Sequence, residues 1–133
     1  MGQRVRVLLD TNAFLRQVGY ENGKLGKHAA RLLLEADGVY VSAISITELH
    51  VKTMIGKLNF PQNIQREILR VGDNPLSFDA NDADTLPDFP QLTRHDPFDR
   101  MLLAQAARDG LVLLTADEIL LGLGLPYVQD ARL

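Results

Sequence analysis

Apolar residues recur along this chain with two different periods. Val5-Arg6-Val7-Leu8-Leu9, Val39-Tyr40-Val41-Ser42 and Leu111-Val112-Leu113-Leu114-Thr115 are short, β-branched or leucine-rich runs that stop at polar residues, as buried strands do. Leu76-Ser77-Phe78 predicts a further short strand, and Tyr127-Val128 a last one after the turn at 122–126. Between these runs the spacing becomes helical. Leu25 to Ala36 places Ala29, Leu32, Leu33 and Ala36 on one face; a second helix runs through Ile46, Leu49, Val51 and Ile55, capped by Ser42 or Ser45. Pro61 to Arg70 reads as a helix started by proline, Asn81 to Leu86 as a helical turn, and Pro87 to Arg94 as a loop.

The clearest helix start is at His95-Asp96-Pro97-Phe98-Asp99-Arg100. Asp96 is the expected N-cap and Pro97 the first helical residue, because proline's missing N–H is no loss there and its fixed φ suits the helix. Phe98, Met101, Leu102, Gln105 and Ala106 then form the inward face, and Asp109-Gly110 ends it. Strands alternating with helices predict βαβ units: a three-layer α/β/α domain around a mostly parallel sheet of four to five strands.

Composition narrows the chemistry. At 133 residues the chain has the length of one domain able to bury its own core. It has no cysteine, so a metal would be held by oxygen or histidine. Runs such as 111–114 and 119–121 are too short to cross a bilayer and residues 1–6 are no signal peptide, so a cytoplasmic protein with no membrane partner is expected. A net charge of −3 gives no global attraction for nucleic acid, which leaves local bases such as Lys52, Lys57, Arg94 and Arg100 to line any such path. Each of these is ordinarily a solvated charge, and only Arg100 has positional support. The cluster Asp79, Asp82, Asp84 and Asp88 reads as a solvated loop or helix start.

Parallel α/β sheets place ligand sites outside the carboxyl ends of their strands, where helix N-termini also gather. Asp10 and Asp117 follow predicted strands at that edge, while Glu48 and Asp99 lie in the first turns of helices that return from it. Taken singly, each acid has an ordinary explanation. Asp10 and Asp117 are good N-caps, Glu48 suits an exposed helix, and Asp99 gains about 0.3–1 kcal/mol from the helix dipole. Four carboxylates on one rim are poorly explained as independent caps, since their repulsion is costly unless a cation intervenes. All-oxygen ligation suits Mg²⁺ or Mn²⁺, and such a site would position water for in-line attack on a phosphodiester. Thr11, Asn12 and Thr115 stand next to the acids and would orient carboxylates or water, whereas Arg100 would reach a phosphate or pair with an acid. Asp96 is assigned to capping alone, and His50 and His95 to the surface or to packing, since hard cations prefer oxygen. Phe14, Phe98 and Met101 are expected in the core.

Leu8-Leu9-Asp10-Thr11-Asn12, Val41-Ser42-Ala43-Ile44-Ser45 with Glu48, His95 to Leu102, and Leu114-Thr115-Ala116-Asp117 together resemble the PIN-domain nucleases. Within them the chain looks most like the VapC-type toxins of toxin–antitoxin pairs. The likeness runs in order through nearly the whole chain and implies a single PIN domain over residues 1–133. It also implies that Asp10, Glu48, Asp99 and Asp117 form a Mg²⁺/Mn²⁺ site supported by Thr115. Further implications are endoribonuclease activity leaving a 3′-hydroxyl and a 5′-phosphate, homodimerisation, and inhibition by a cognate antitoxin whose tail enters the acidic groove. The apolar, glycine-rich stretch 121–125 departs from the family pattern; the four acids do not.

Other readings fit less well. A receiver-type signalling module wants paired acids after the first strand and a lysine after a late one, but Asp10 precedes Thr11-Asn12 and Thr115 precedes Ala116-Asp117. A haloacid-dehalogenase-type phosphatase needs an aspartate at position 12, which is asparagine. A catalytically silent PIN scaffold that binds RNA or protein is opposed by the complete acid set.

Overall fold

The computed structural model describes residues 4–20, 23–90 and 96–133. Five strands, β1 (Arg6–Leu9), β2 (Gly38–Ser42), β3 (Asn74–Leu76), β4 (Val112–Thr115) and β5 (Val128–Asp130), make one sheet in the order β3-β2-β1-β4-β5. Every pairing is parallel, and β1 sits at the centre with Leu8 opposite Tyr40 of β2 and Leu113 of β4. The crossovers that parallel strands require carry the helices α1 (Thr11–Val18), α2 (Lys27–Glu35), α3 (Ala43–Met54), α4 (Ile64–Arg70), α5 (Ala80–Ala83), α6 (Pro97–Asp109) and α7 (Glu118–Gly122).

The apolar runs of β1 and β4 are continuous because both faces of the sheet are covered. Val7, Leu9 and Leu114 enter one cluster with Phe14, Leu49 and Ile68, while Leu8 and Leu113 enter another with Leu102, Leu103 and Leu120. Adjacent strand residues thus feed opposite cores, and the three-layer α/β/α architecture follows.

Several expected boundaries move, each for a local reason. α4 begins at Ile64, three residues beyond Pro61, because the Asn63 side chain accepts a hydrogen bond from the Arg66 amide and caps the helix there. β3 lies two residues earlier than the apolar run 76–78 and contains Pro75, which an edge strand tolerates because one side of its backbone needs no ladder partner. The last strand is Val128–Asp130, and a 3₁₀ turn occupies Leu86–Asp88 in the expected loop. Ser42, rather than Ser45, caps α3, its hydroxyl oxygen accepting from the Ile44 amide at 3.1 Å. Asp79 and Asp82 form a reciprocal capping box at α5, and Asp82 is buried against Arg108, so this part of the acidic cluster is structural. In α6 the inward face is Leu102 to Ala106, whereas Phe98 and Met101 are only half-buried; Phe14 is fully buried as expected. His50 is exposed, and the expectations for Arg94 and His95 lie outside the described residues.

The C-terminal residues close the start of α2, whose N-cap, Gly26, has no side chain to do so. The Gly26 amide donates to the Ala131 carbonyl and the Ala29 amide to the Leu133 carbonyl, both at 2.9 Å. A Cβ at position 26 would stand 2.1 Å from the Leu133 backbone, so only glycine allows this approach. Gly26→Ala is expected to lower stability by about 1–3 kcal/mol through forced separation of these segments. A thermal melt within about 1 °C of the parent would contradict that close approach.

Candidate active site

The strand order reverses between β1 and β4, and the crevice at their carboxyl ends is where the acids meet. Asp10 follows β1 directly, and its amide donates to the Leu114 carbonyl of β4 at 3.1 Å. Its Oδ1 caps α1 by accepting from the Ala13 amide at 2.7 Å, and its Oδ2 accepts from the Thr115 hydroxyl. The same Thr115 oxygen accepts from the Asp117 amide at 2.9 Å, so one buried threonine joins the two acids across the crevice. Asp117 in turn caps α7 through Oδ1, which accepts from the Ile119 and Leu120 amides.

Glu48 comes from α3 and is only 5% exposed. Its Oε1 accepts from the Thr11 hydroxyl at 2.7 Å. Thr11 has a single hydroxyl proton and gives it to this carboxylate, so its 2.9 Å contact with Ser45 is made by the Ser45 hydroxyl donating to Thr11. Glu48 Oε2 pairs with the Lys52 ammonium at 2.7 Å, one helical turn along. Asp99 stands in the first turn of α6, which Asp96 caps by accepting from the Phe98 amide at 2.9 Å.

These side chains line one polar cavity of about 120 Å³, formed by Asp10, Thr11, Asn12, Glu48, Lys52, Asp96, Asp99 and Asp117. All four acids singled out in the sequence meet there. Thr11 and Asn12 are part of its wall, and Thr115 supports it from behind Asp10. Arg100 is not in the wall: its guanidinium donates to the Leu86 carbonyl at 2.8 Å. Asp96 has a second place besides capping, because N-cap and N3 side chains share the mouth of the helix instead of diverging from it. Lys52 also belongs here, and its signal was the four-residue spacing from Glu48. Ser45, buried beneath Thr11, left no comparable sign. A larger depression of about 350 Å³ lined by Arg16, Gln17, Lys24 and Leu25 contains no carboxylate among the described residues.

The acids feel one another. Burial first, then the charges of Glu48 and Asp117, push Asp10 up to about 6 against the hydrogen bonds from Thr115 and Ala13. Asp99 is pushed up to about 7, again mainly by burial and then by Asp96, Asp117, Asp10 and Glu48. Among the described residues no group of three or more acidic, imidazole or thiol side chains is already arranged to hold an ion. The protein's own donors hold Asp10, Glu48 and Asp117 instead. The donor set is nevertheless all oxygen, the chemistry of a hard divalent cation.

The PIN domain family model matches residues 7–123. No curated protein matches the chain. Among solved structures, a toxin–antitoxin complex from Klebsiella pneumoniae is similar at a TM-score of 0.62 and 21% identity, over 92% of this chain and 95% of that one. VapBC2 from Rickettsia felis, bound to a DNA fragment from its promoter, gives a TM-score of 0.64 at 15% identity, over 95% and 98%. VapC20 from Mycobacterium tuberculosis, a sarcin–ricin loop cleaving toxin, gives 0.56 at 18% identity, over 92% and 98%. At these identities the likeness is one of fold.

The raised Asp99 has a consequence for stability. Between its ordinary value of 3.8 and about 7 the folded chain keeps a proton that the unfolded chain releases, so this group's contribution is full below about pH 4 and is lost as pH rises to 7. In metal-free buffer, Asp99→Asn is expected to melt with the parent at pH 4 and about 2–6 °C above it at pH 7.5. Calorimetry in EDTA showing no gain at pH 7.5 would contradict the crowding of these charges.

Proposed function

The chain belongs to the PIN domain family, and from that footing we propose that it is a Mg²⁺- or Mn²⁺-dependent endoribonuclease, the toxin of a toxin–antitoxin pair. The observation that carries the reading is the convergence of Asp10, Glu48, Asp99 and Asp117 on one polar cavity at the sheet's carboxyl edge. These four residues would hold the ion, and the residues fit it by donor chemistry. When bound, the ion supplies Lewis-acid stabilisation of negative charge on the phosphate.

The chain's own groups do the rest. Thr115 holds Asp10 by one oxygen, and Thr11 holds Glu48, so both carboxylates are aimed before any ligand arrives. Asp99 has its shifted range near neutrality, where a carboxylate either yields its proton to a cation or takes one from an attacking water. Asn12, exposed at the rim, is placed to orient substrate or water. The RNA assignment draws on the similarity to a sarcin–ricin loop cleaving toxin, and the antitoxin on the similarity to toxin–antitoxin complexes. Hydrolysis leaving a 3′-hydroxyl and a 5′-phosphate, a homodimer, and a cytoplasmic location complete the proposal; no helix among the described residues is long and apolar enough to cross a membrane.

Purified protein is expected to cleave RNA with Mg²⁺ or Mn²⁺ and to stop in EDTA. Asp10→Asn and Asp99→Asn should each lower the rate by roughly 100-fold or more with an unchanged far-UV spectrum, as loss of a group stabilising the transition state does. Undiminished Mg²⁺-dependent cleavage by Asp99→Asn would remove the central claim. Co-purification with the product of a short neighbouring reading frame tests the antitoxin.

A further inference from the structure

Among the described residues, Lys52 is the one cation that lines the acidic cavity. Its partner is not an ordinary surface glutamate. Exposed helical pairs of this spacing are worth only about 0.3–0.5 kcal/mol, because both charges stay solvated. Here Glu48 is 5% exposed and shares its cavity with four further carboxylates, while the Lys52 side chain keeps 40% of its exposure and reaches inward from solvent.

The contacts of Glu48 leave little choice about what an arriving ion must displace. Oε1 is held by Thr11, which is itself buried and fastened to Ser45. Oε2 is held by the ammonium of Lys52, at the end of a flexible four-carbon stem. Thr11 cannot move without disturbing the start of α1, whereas the Lys52 ammonium sits on a flexible stem that is 40% exposed. We propose that Lys52 is the resident counter-cation of this cluster, holding Glu48 until a divalent cation displaces it, and thereby sets the affinity of the site for the metal. The role rests on the reading of the cluster as a divalent-metal site.

Asp10, Glu48 and Asp117 are each held by the protein's own donors, and at Glu48 one of those donors carries a full charge. A metal that enters must compete with a unit positive charge 2.7 Å from Glu48 Oε2. Removing that charge should strengthen metal binding, the opposite of what loss of a merely structural residue does.

The test is Mn²⁺ binding by isothermal calorimetry at low salt, on the full chain, the Lys52→Gln and Lys52→Arg variants, and Glu48→Gln as a reference. Lys52→Gln is expected to lower the Kd for Mn²⁺ about tenfold, in line with loss of one nearby like charge at intermediate dielectric. Lys52→Arg should stay within about threefold of the parent, since it keeps the charge. In thermal melts Lys52→Gln should be less stable than the parent without metal and match or exceed it with saturating Mn²⁺. Binding by the parent with unchanged or weaker affinity in Lys52→Gln overturns the role of Lys52 while leaving the metal site standing. Absence of Mn²⁺ binding by the parent and every variant overturns both.

Discussion

The structure turns on an unfavourable interaction, the crowding of carboxylates at the carboxyl edge of a parallel sheet. Left alone, that crowding would open the crevice between β1 and β4. It is contained by donors that the fold itself brings there. The N-termini of α1, α6 and α7 point their free amides at Asp10, Asp96 and Asp117, each of which accepts at least one. The remaining charge is met by two threonine hydroxyls and one lysine. Burial and mutual repulsion still dominate at Asp10 and Asp99, which therefore hold protons at pH values where ordinary aspartates are bare.

Topology makes this concentration unavoidable. β1 is central and pairs with both β2 and β4, so the next residue, Asp10, is delivered to the middle of the edge with no linker. Two residues separate β4 from α7, and one of them is Asp117. Short strand-to-helix connections leave no slack, so the positions of these carboxyls are set by backbone geometry and not by the conformations of long loops. Glu48 and Asp99 arrive from helices on either face of the same edge, with α3 in contact with α6.

Much of this was legible because it depends on short-range rules. Apolar runs ending in Asp10 and at Thr115 mark buried strands, and Asp96-Pro97 marks the helix start where the structure has it, with Asp96 as the cap and Pro97 as the first helical residue. The strand and helix alternation was enough for the layers and for the meeting of the four acids at one edge. What escaped depended on side-chain reach or on compensation between segments. Pro75 conceals an edge strand because proline argues against strands in general. Arg100 is sequence-adjacent to Asp99, yet one step around a helix turns a side chain by about 100° and its guanidinium goes to the Leu86 carbonyl. Lys52 and Asp96 read as a solvated charge and a plain cap, since the spacing of Lys52 from Glu48 names a partner but not the cavity beside it.

The double use of these acids also separates what each contributes to fold and to charge. A cap needs one oxygen, and asparagine caps about as well as aspartate, so neutralising Asp117 leaves α7 its start. Asp10 is less divisible. Its Oδ2 takes the only proton of Thr115, whose oxygen already accepts from the Asp117 amide. An amide nitrogen in place of Oδ2 would present a second donor to that oxygen and leave the threonine proton without its acceptor, so at Asp10 the local hydrogen bonding changes along with the charge while the secondary structure stays. Asp99 is the opposite case, in the first turn of α6 while Asp96 does the capping. Its charge is therefore the one most nearly independent of the scaffold, and it is also the one that burial, and then the surrounding carboxylates, push up furthest.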